Sequence, residues 1–145
     1  MPPLRYVDNL DGTITDLNSG LIWEKKCSGC GGLHDVDPAI NGFTWFGIFS
    51  WIANVNAENS GAGYAGHNDW RIPNLRELLS IVHYGLVFPS TDSTLGPTAL
   101  FAPYWSSSTP ADSSSSAWQV VYQRGTVQFE GKSVLGPTVR AVRGP

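Results

Sequence analysis

The segment Asn68-Asp69-Trp70-Arg71-Ile72-Pro73-Asn74-Leu75-Arg76-Glu77-Leu78-Leu79 constrains the fold most, because it joins an aromatic anchor, a fixed turn and a helix start. Pro73 biases Ile72 toward extended backbone. Asn74 is placed to cap the N–H three residues on, and Glu77, at that position, can reach back and complete a capping box. The pattern predicts a helix from Asn74, with Leu75, Leu78, Leu79 and Val82 on one apolar face and Gly85 as its stop.

Around this anchor the chain alternates short β-prone runs with turns. Residues 5–7, 13–15 and 21–24 read as a three-stranded meander, followed by a glycine-rich loop over 28–38. Thr44 is placed as the N-cap of a helix from Trp45 to about Asn56, whose dense apolar residues predict nearly complete burial. Prolines and glycines forbid regular structure across 86–103. Strands are predicted at 104–108, 117–123, 126–130 and 139–143, with Arg124-Gly125 as a hairpin turn. Strands, two helices, a long loop and strands again argue for an α+β domain with antiparallel sheets and not a wound βαβ sheet.

A length of 145 residues fits one domain, 1–145. Charged residues make up only 14%, against roughly a quarter in ordinary soluble chains. The net charge of −3 supplies no positive field, so nucleic acid is not an expected partner. No apolar run reaches the roughly 18 residues of a membrane span. Met1-Pro2-Pro3-Leu4 lacks the features of a signal peptide, so the chain reads as cytosolic or as a fragment of a longer exported protein.

No nucleophile–base set or phosphate-binding glycine loop is present, and no cofactor is expected. Asp8-Asn9-Leu10-Asp11-Gly12 lacks the alternate donors of a calcium loop and reads as a hairpin turn. Cys27 and Cys30, with His34 nearby, admit a zinc site, a local disulfide or free thiols. The late strands mix aromatic faces with hydrogen-bonding tips, which suits a sugar or protein ligand. Trp105 and Trp118 are expected in the core, while Tyr104 and Tyr122 could face either way. Arg124, Lys132, Arg140 and Arg143 concentrate positive charge that could meet acidic groups of a glycan or simply form a solvated face.

Asp11-Gly12-Thr13-Ile14-Thr15-Asp16, Ser19-Gly20-Leu21-Ile22-Trp23, Gly32-Leu33-His34-Asp35, Asp69-Trp70-Arg71-Ile72-Pro73-Asn74, Tyr104-Trp105-Ser106-Ser107-Ser108 and Val139-Arg140-Ala141-Val142-Arg143-Gly144 occur in that order. Together they resemble the bacterial family named for the C-terminal domain of the Legionella collagen-like adhesin. The resemblance implies a C-type-lectin-like fold, with two helices packed on antiparallel sheets, and an exported or surface-attached domain. Many members carry a cysteine late in the first helix and another in the last strand, which implies a disulfide; here Ile52 and Ala141 stand at those places. The fold group's enzyme branch uses a reactive cysteine pair, but Cys27 and Cys30 lie in an early loop, so that activity is not carried over.

The expected function is an adhesin-like binding module for a glycan or protein. Its expected contact residues are Tyr104, Ser106, Ser108, Gln119, Tyr122, Arg124, Gln128 and Lys132. The alternatives are a structural domain that forms a homo-oligomer, and a zinc-binding or enzymatic domain at Cys27, Cys30 and His34.

Overall fold

The computed structural model describes residues 4–145. Met1, Pro2 and Pro3, which carry part of the amino-terminal reading, lie outside the described residues. The strands are β1 (Tyr6–Asp8), β2 (Thr13–Asp16), β3 (Ile22–Glu24), β4 (Tyr104–Trp105), β5 (Ser116–Val121), β6 (Thr126–Gly131) and β7 (Val142–Arg143). The helices are α1 (Trp45–Ala57) and α2 (Leu75–Ser80). One antiparallel sheet has the order β1-β2-β3-β7 and the other β4-β5-β6, which makes the class α+β.

The Trp70–Glu77 segment forms as its sequence requires. Asn74 Oδ1 accepts from Glu77 N at 2.9 Å, and Glu77 Oε1 accepts from Asn74 N at 2.9 Å. Arg71 holds Glu77 through two 2.6 Å bonds, while its backbone pairs with Val142. The helix, however, ends at Ser80 and not at Gly85. The Ser80 hydroxyl bonds back to Glu77 O at 2.6 Å, and Arg5 Nη2 takes Ser80 O at 2.6 Å, which closes the helix early.

Thr44 caps α1 by accepting from Gly47 N at 3.2 Å. Only Ile48, Trp51 and Val55, a single three-and-four stripe, are buried on this helix. Phe46 and Phe49 face solvent, so the expected near-complete burial is corrected to one buried face.

Tyr104 and Trp105 point to opposite sides of β4 and enter different cores. One core gathers Ile14, Trp23, Leu78, Leu95, Tyr104, Val120 and Tyr122. The other gathers Ile48, Trp51, Trp70, Trp105, Val139 and Ala141. The carboxy-terminal segment joins the two sheets, since Thr138 lies beside Tyr104 and Val142 pairs with Trp23. The strand expected over 104–108 is regular only at Tyr104–Trp105: Ser106 N and Ser108 O both bond Trp118 while Ser107 N turns to Pro73 O, so 106–108 bulge away from the ladder.

Candidate ligand-binding surface

Side chains alternate across the β5–β6 hairpin, so Trp118 meets Phe129 edge to face, with ring centroids 5.3 Å apart, on one side. Gln119 meets Gln128 on the other, where Gln128 Nε2 donates to Gln119 Oε1 at 2.8 Å. β5 is the middle strand and its side chains are mostly covered. β6 is the edge, and Thr126, Val127, Gln128 and Phe129 are all exposed.

This division corrects half of the expected contact set. Tyr104, Ser106, Gln119 and Tyr122 are each 0% exposed and cannot touch a ligand from their present positions. The Tyr122 hydroxyl donates to Leu78 O at 2.7 Å, and the Tyr104 hydroxyl accepts from Ala99 N at 2.9 Å. Ser106 Oγ donates to Trp118 O at 2.7 Å. The half-buried Ser108 accepts from Leu75 N at 3.0 Å, so it secures the first turn of α2. Arg124, Gln128 and Lys132 keep solvent access. Arg124 lies 5.5 Å from the Phe88 ring. Lys132 donates to Ser114 O at 2.8 Å and lies 4.2 Å from the Trp45 ring. These two cations stand at opposite ends of β6, roughly 20 Å apart at strand rise.

Arg140 and Arg143 leave the positive surface group. Arg140 is 1% exposed and donates to Glu24 O, Leu95 O, Pro97 O and Thr98 Oγ1. Arg143 is paired with Asp69 at 2.6 Å.

The zinc reading is also corrected, because Cys27 and Cys30 form a disulfide and so are not the thiolates that bind zinc. His34 turns toward carboxylates instead: Nδ1 bonds Glu24 Oε2, and Nε2 lies 2.6 Å from Glu58 Oε1. Among the described residues no group of three or more His, Cys, Asp or Glu is arranged to hold a metal.

His34 belongs to a buried ionic cluster that sequence reading missed. Lys26 Nζ lies 3.1 Å from Glu24 Oε1 and 4.7 Å from the Trp51 ring, while Tyr64 stacks on His34 at 3.8 Å. Burial alone would push Glu24 up, but the Lys26 ammonium, His34 and the Ala141 N–H together hold its carboxyl at about 2. Burial likewise opposes protonation of His34, yet Glu24 and Glu58 prevail and raise its pKa above the ordinary value. The alternation over 22–24 gave no sign that His34 and Arg140 would be brought to Glu24 from 10 and 116 positions away, or Glu58 to His34.

Three clefts also follow the irregular segment 96–103. Their volumes are about 490, 650 and 310 Å³. The first two share Leu100, and the second and third share Phe101 and Ala102.

The sequence profile of the Lcl C-terminal domain matches residues 12–143, and so takes in both helices and every strand except β1. The chain belongs to the Lcl C-terminal domain family. Membership gives it the general character of an adhesin-type surface domain and names no ligand for it. No curated protein matches the chain. In this Lcl-type domain no helix among the described residues is long and apolar enough to cross a membrane.

Proposed function

We propose that this chain, acting as one domain over 1–145, is a non-enzymatic adhesin-like module of a bacterial surface or secreted protein that recognises a glycan or protein through β6. The observation that carries this reading is the state of that strand. β6 is a sheet edge, and it presents Val127 and Phe129 to solvent at 42% and 55% exposure. Edge strands are ordinarily short, charged or covered, and an apolar exposed one is a surface suited to a partner. Arg124 and Lys132 flank it, and Gln128, its Nε2 held by Gln119, offers an exposed amide on the opposite face of the strand. Two small antiparallel sheets joined by a closing strand, with long loops, also support a C-type-lectin-like architecture.

The test is binding of wild type, Phe129→Ser and Arg124→Ala/Lys132→Ala to a glycan array and to immobilised heparin at low and high salt. Binding that falls in both variants supports the reading, and salt sensitivity identifies an acidic glycan. Absence of binding to any polyanion at low salt removes the charged-glycan version, and unchanged binding in both variants removes β6 as the site. The free edge also favours a second reading, an assembly domain whose copies pair along β6. Light scattering that shows a stable oligomer, lost in Phe129→Ser, would select it.

A further inference from the structure

We infer that the three clefts along 96–103 form one track that binds an extended, apolar polypeptide segment carrying basic residues. This goes beyond the β6 reading; the two surfaces meet at Gln128 and Glu130 of β6, which line the third cleft. Continuity is the first argument. The clefts succeed one another along the same stretch of backbone and share lining residues, so a linear ligand can occupy all of them. A segment of this length spans at most about 25 Å, room for roughly seven residues of extended chain.

The lining sets the chemistry. Val36, Ile40, Leu100, Phe101, Val134 and Leu135 provide walls that are aliphatic except for one ring. Phe101 and Leu135 stand out at 82% and 73% exposure. Such walls fit alternate apolar side chains better than sugar rings, which call for several flat aromatic and amide groups. Asp35, Asp37 and Glu130 line the track, and no lysine or arginine does. Both oxygens of Asp35 accept from backbone N–H groups, of Gly31 and Asp37, whereas Asp37 gives only Oδ1 to Ala39 N, which leaves Asp37 Oδ2 and Glu130 to attract basic residues.

The walls are also held in place before any ligand arrives. Buried Arg140 binds Leu95 O, Pro97 O and Thr98 Oγ1 beneath one wall, and Tyr104 receives Ala99 N–H. The Cys27–Cys30 disulfide and Asp35 fix the loop that forms the opposite rim. Preorganisation of this kind reduces the ordering cost of binding.

The experiment pans a phage-displayed library of random peptides on the whole protein. Enriched peptides are then titrated against wild type, Phe101→Ser, Leu135→Ser, Asp37→Asn/Glu130→Gln and Arg124→Ala/Lys132→Ala. The expected peptides carry net positive charge and apolar residues at alternate positions. Phe101→Ser or Leu135→Ser should weaken them about tenfold, as loss of an anchor side chain does. The charge variant should weaken them at low salt and converge with wild type at high salt, while the Arg124/Lys132 variant binds unchanged. Both apolar sites are exposed, so unchanged thermal melting will confirm that these variants fold. The proposal is overturned by no enrichment, by acidic peptides, or by equal binding to Phe101→Ser. It is also overturned if a neutral polysaccharide, or a second copy of the domain seen in sedimentation, takes the Phe101-dependent site instead. Loss confined to the Arg124/Lys132 variant would overturn the track while leaving β6 intact as a site.

Discussion

Arg140 and Arg143 lie three positions apart in the same closing segment, yet replacing each with methionine should give very different results. The Arg140 guanidinium makes bonds of 2.8 to 3.2 Å to four acceptors in three places: Glu24, Leu95 and the 97–98 pair. Arg140→Met fills the aliphatic volume but leaves those buried carbonyls without donors. A hydrogen bond to a charged group contributes about 1.5–3 kcal/mol, and a buried acceptor left unpaired costs about 1–3 kcal/mol. The two bonds to Glu24 O and Leu95 O are fully buried, so the net loss should be about 3–5 kcal/mol after the gain from a neutral side chain is allowed for. A domain of this length has an unfolding entropy near 0.3 kcal/mol per degree, which converts that loss to a fall in Tm of roughly 10–15 °C. Arg143→Met removes an ion pair with the largely exposed Asp69, a contact of a kind that contributes at most about 1 kcal/mol, or roughly 3 °C. Near-ultraviolet circular dichroism of the tryptophans reads both transitions. Equal shifts in the two variants, or a fall under about 3 °C for Arg140→Met, would refute the view that Arg140 is an internal tie.

Stability should also depend on pH through His34. Its pKa is raised in the folded state, so its contribution is complete below the ordinary value near 6.5 and is lost as pH rises through the folded value. The urea midpoint of wild type should therefore approach that of His34→Gln between pH 6 and pH 9, and parallel curves would contradict the ion-pair account. Replacing Cys27 and Cys30 together with alanine opens a very short ring, worth about 2 kcal/mol by chain entropy, and should lower Tm by roughly 6 °C; an unchanged Tm would show that the loop is held by Asp35 alone. Gly63 has φ of +87°, and a Cβ there would lie 1.8 Å from His67 O. Gly63→Ala should thus cost about 3 kcal/mol or more, whereas Gly29→Ala, with open space around it, should cost only about 1 kcal/mol of backbone strain, and thermal melts of the two should differ accordingly.

Local chemistry was legible wherever one short segment contained both partners of an interaction. Asn74 and Glu77 announce their capping box, Thr44 announces its helix, and the meander and hairpin follow from turn residues. What failed were inferences about which side of an element is covered. Alternation along the predicted strand 117–123 places Tyr122 and Gln119 on opposite faces but does not say that both faces are packed. That depends on β4, on α2 and on the segment from Thr138, which meet β5 or its neighbour only in the folded chain. The same holds for Arg140: an arginine between Val139 and Ala141 in a strand-like run is normally solvated, and its acceptors come from residues 42 to 116 positions away. The track along 96–103 carries no periodicity, so only tertiary placement reveals it.

The positions where the family resemblance places a cysteine pair show how the interior can be secured without that crosslink. Ala141 is buried in the core of Ile48, Trp51 and Trp105, and Ile52 packs against the same core. Apolar contact therefore occupies the place a disulfide would hold. Next to it, Ala141 N donates to Glu24 Oε1 at 3.0 Å, and Glu24 in turn binds Lys26 and His34. The closing segment is thus fixed by packing on one side and by a buried carboxylate on the other, with Arg140 reaching across to the 95–98 backbone. That makes the rigidity of the track depend on the same residues that hold the sheets together. Binding along 96–103 should accordingly weaken in Arg140→Met even at temperatures where the variant is still folded, while contacts through Val127 and Phe129, on the face of β6 away from the track, should not.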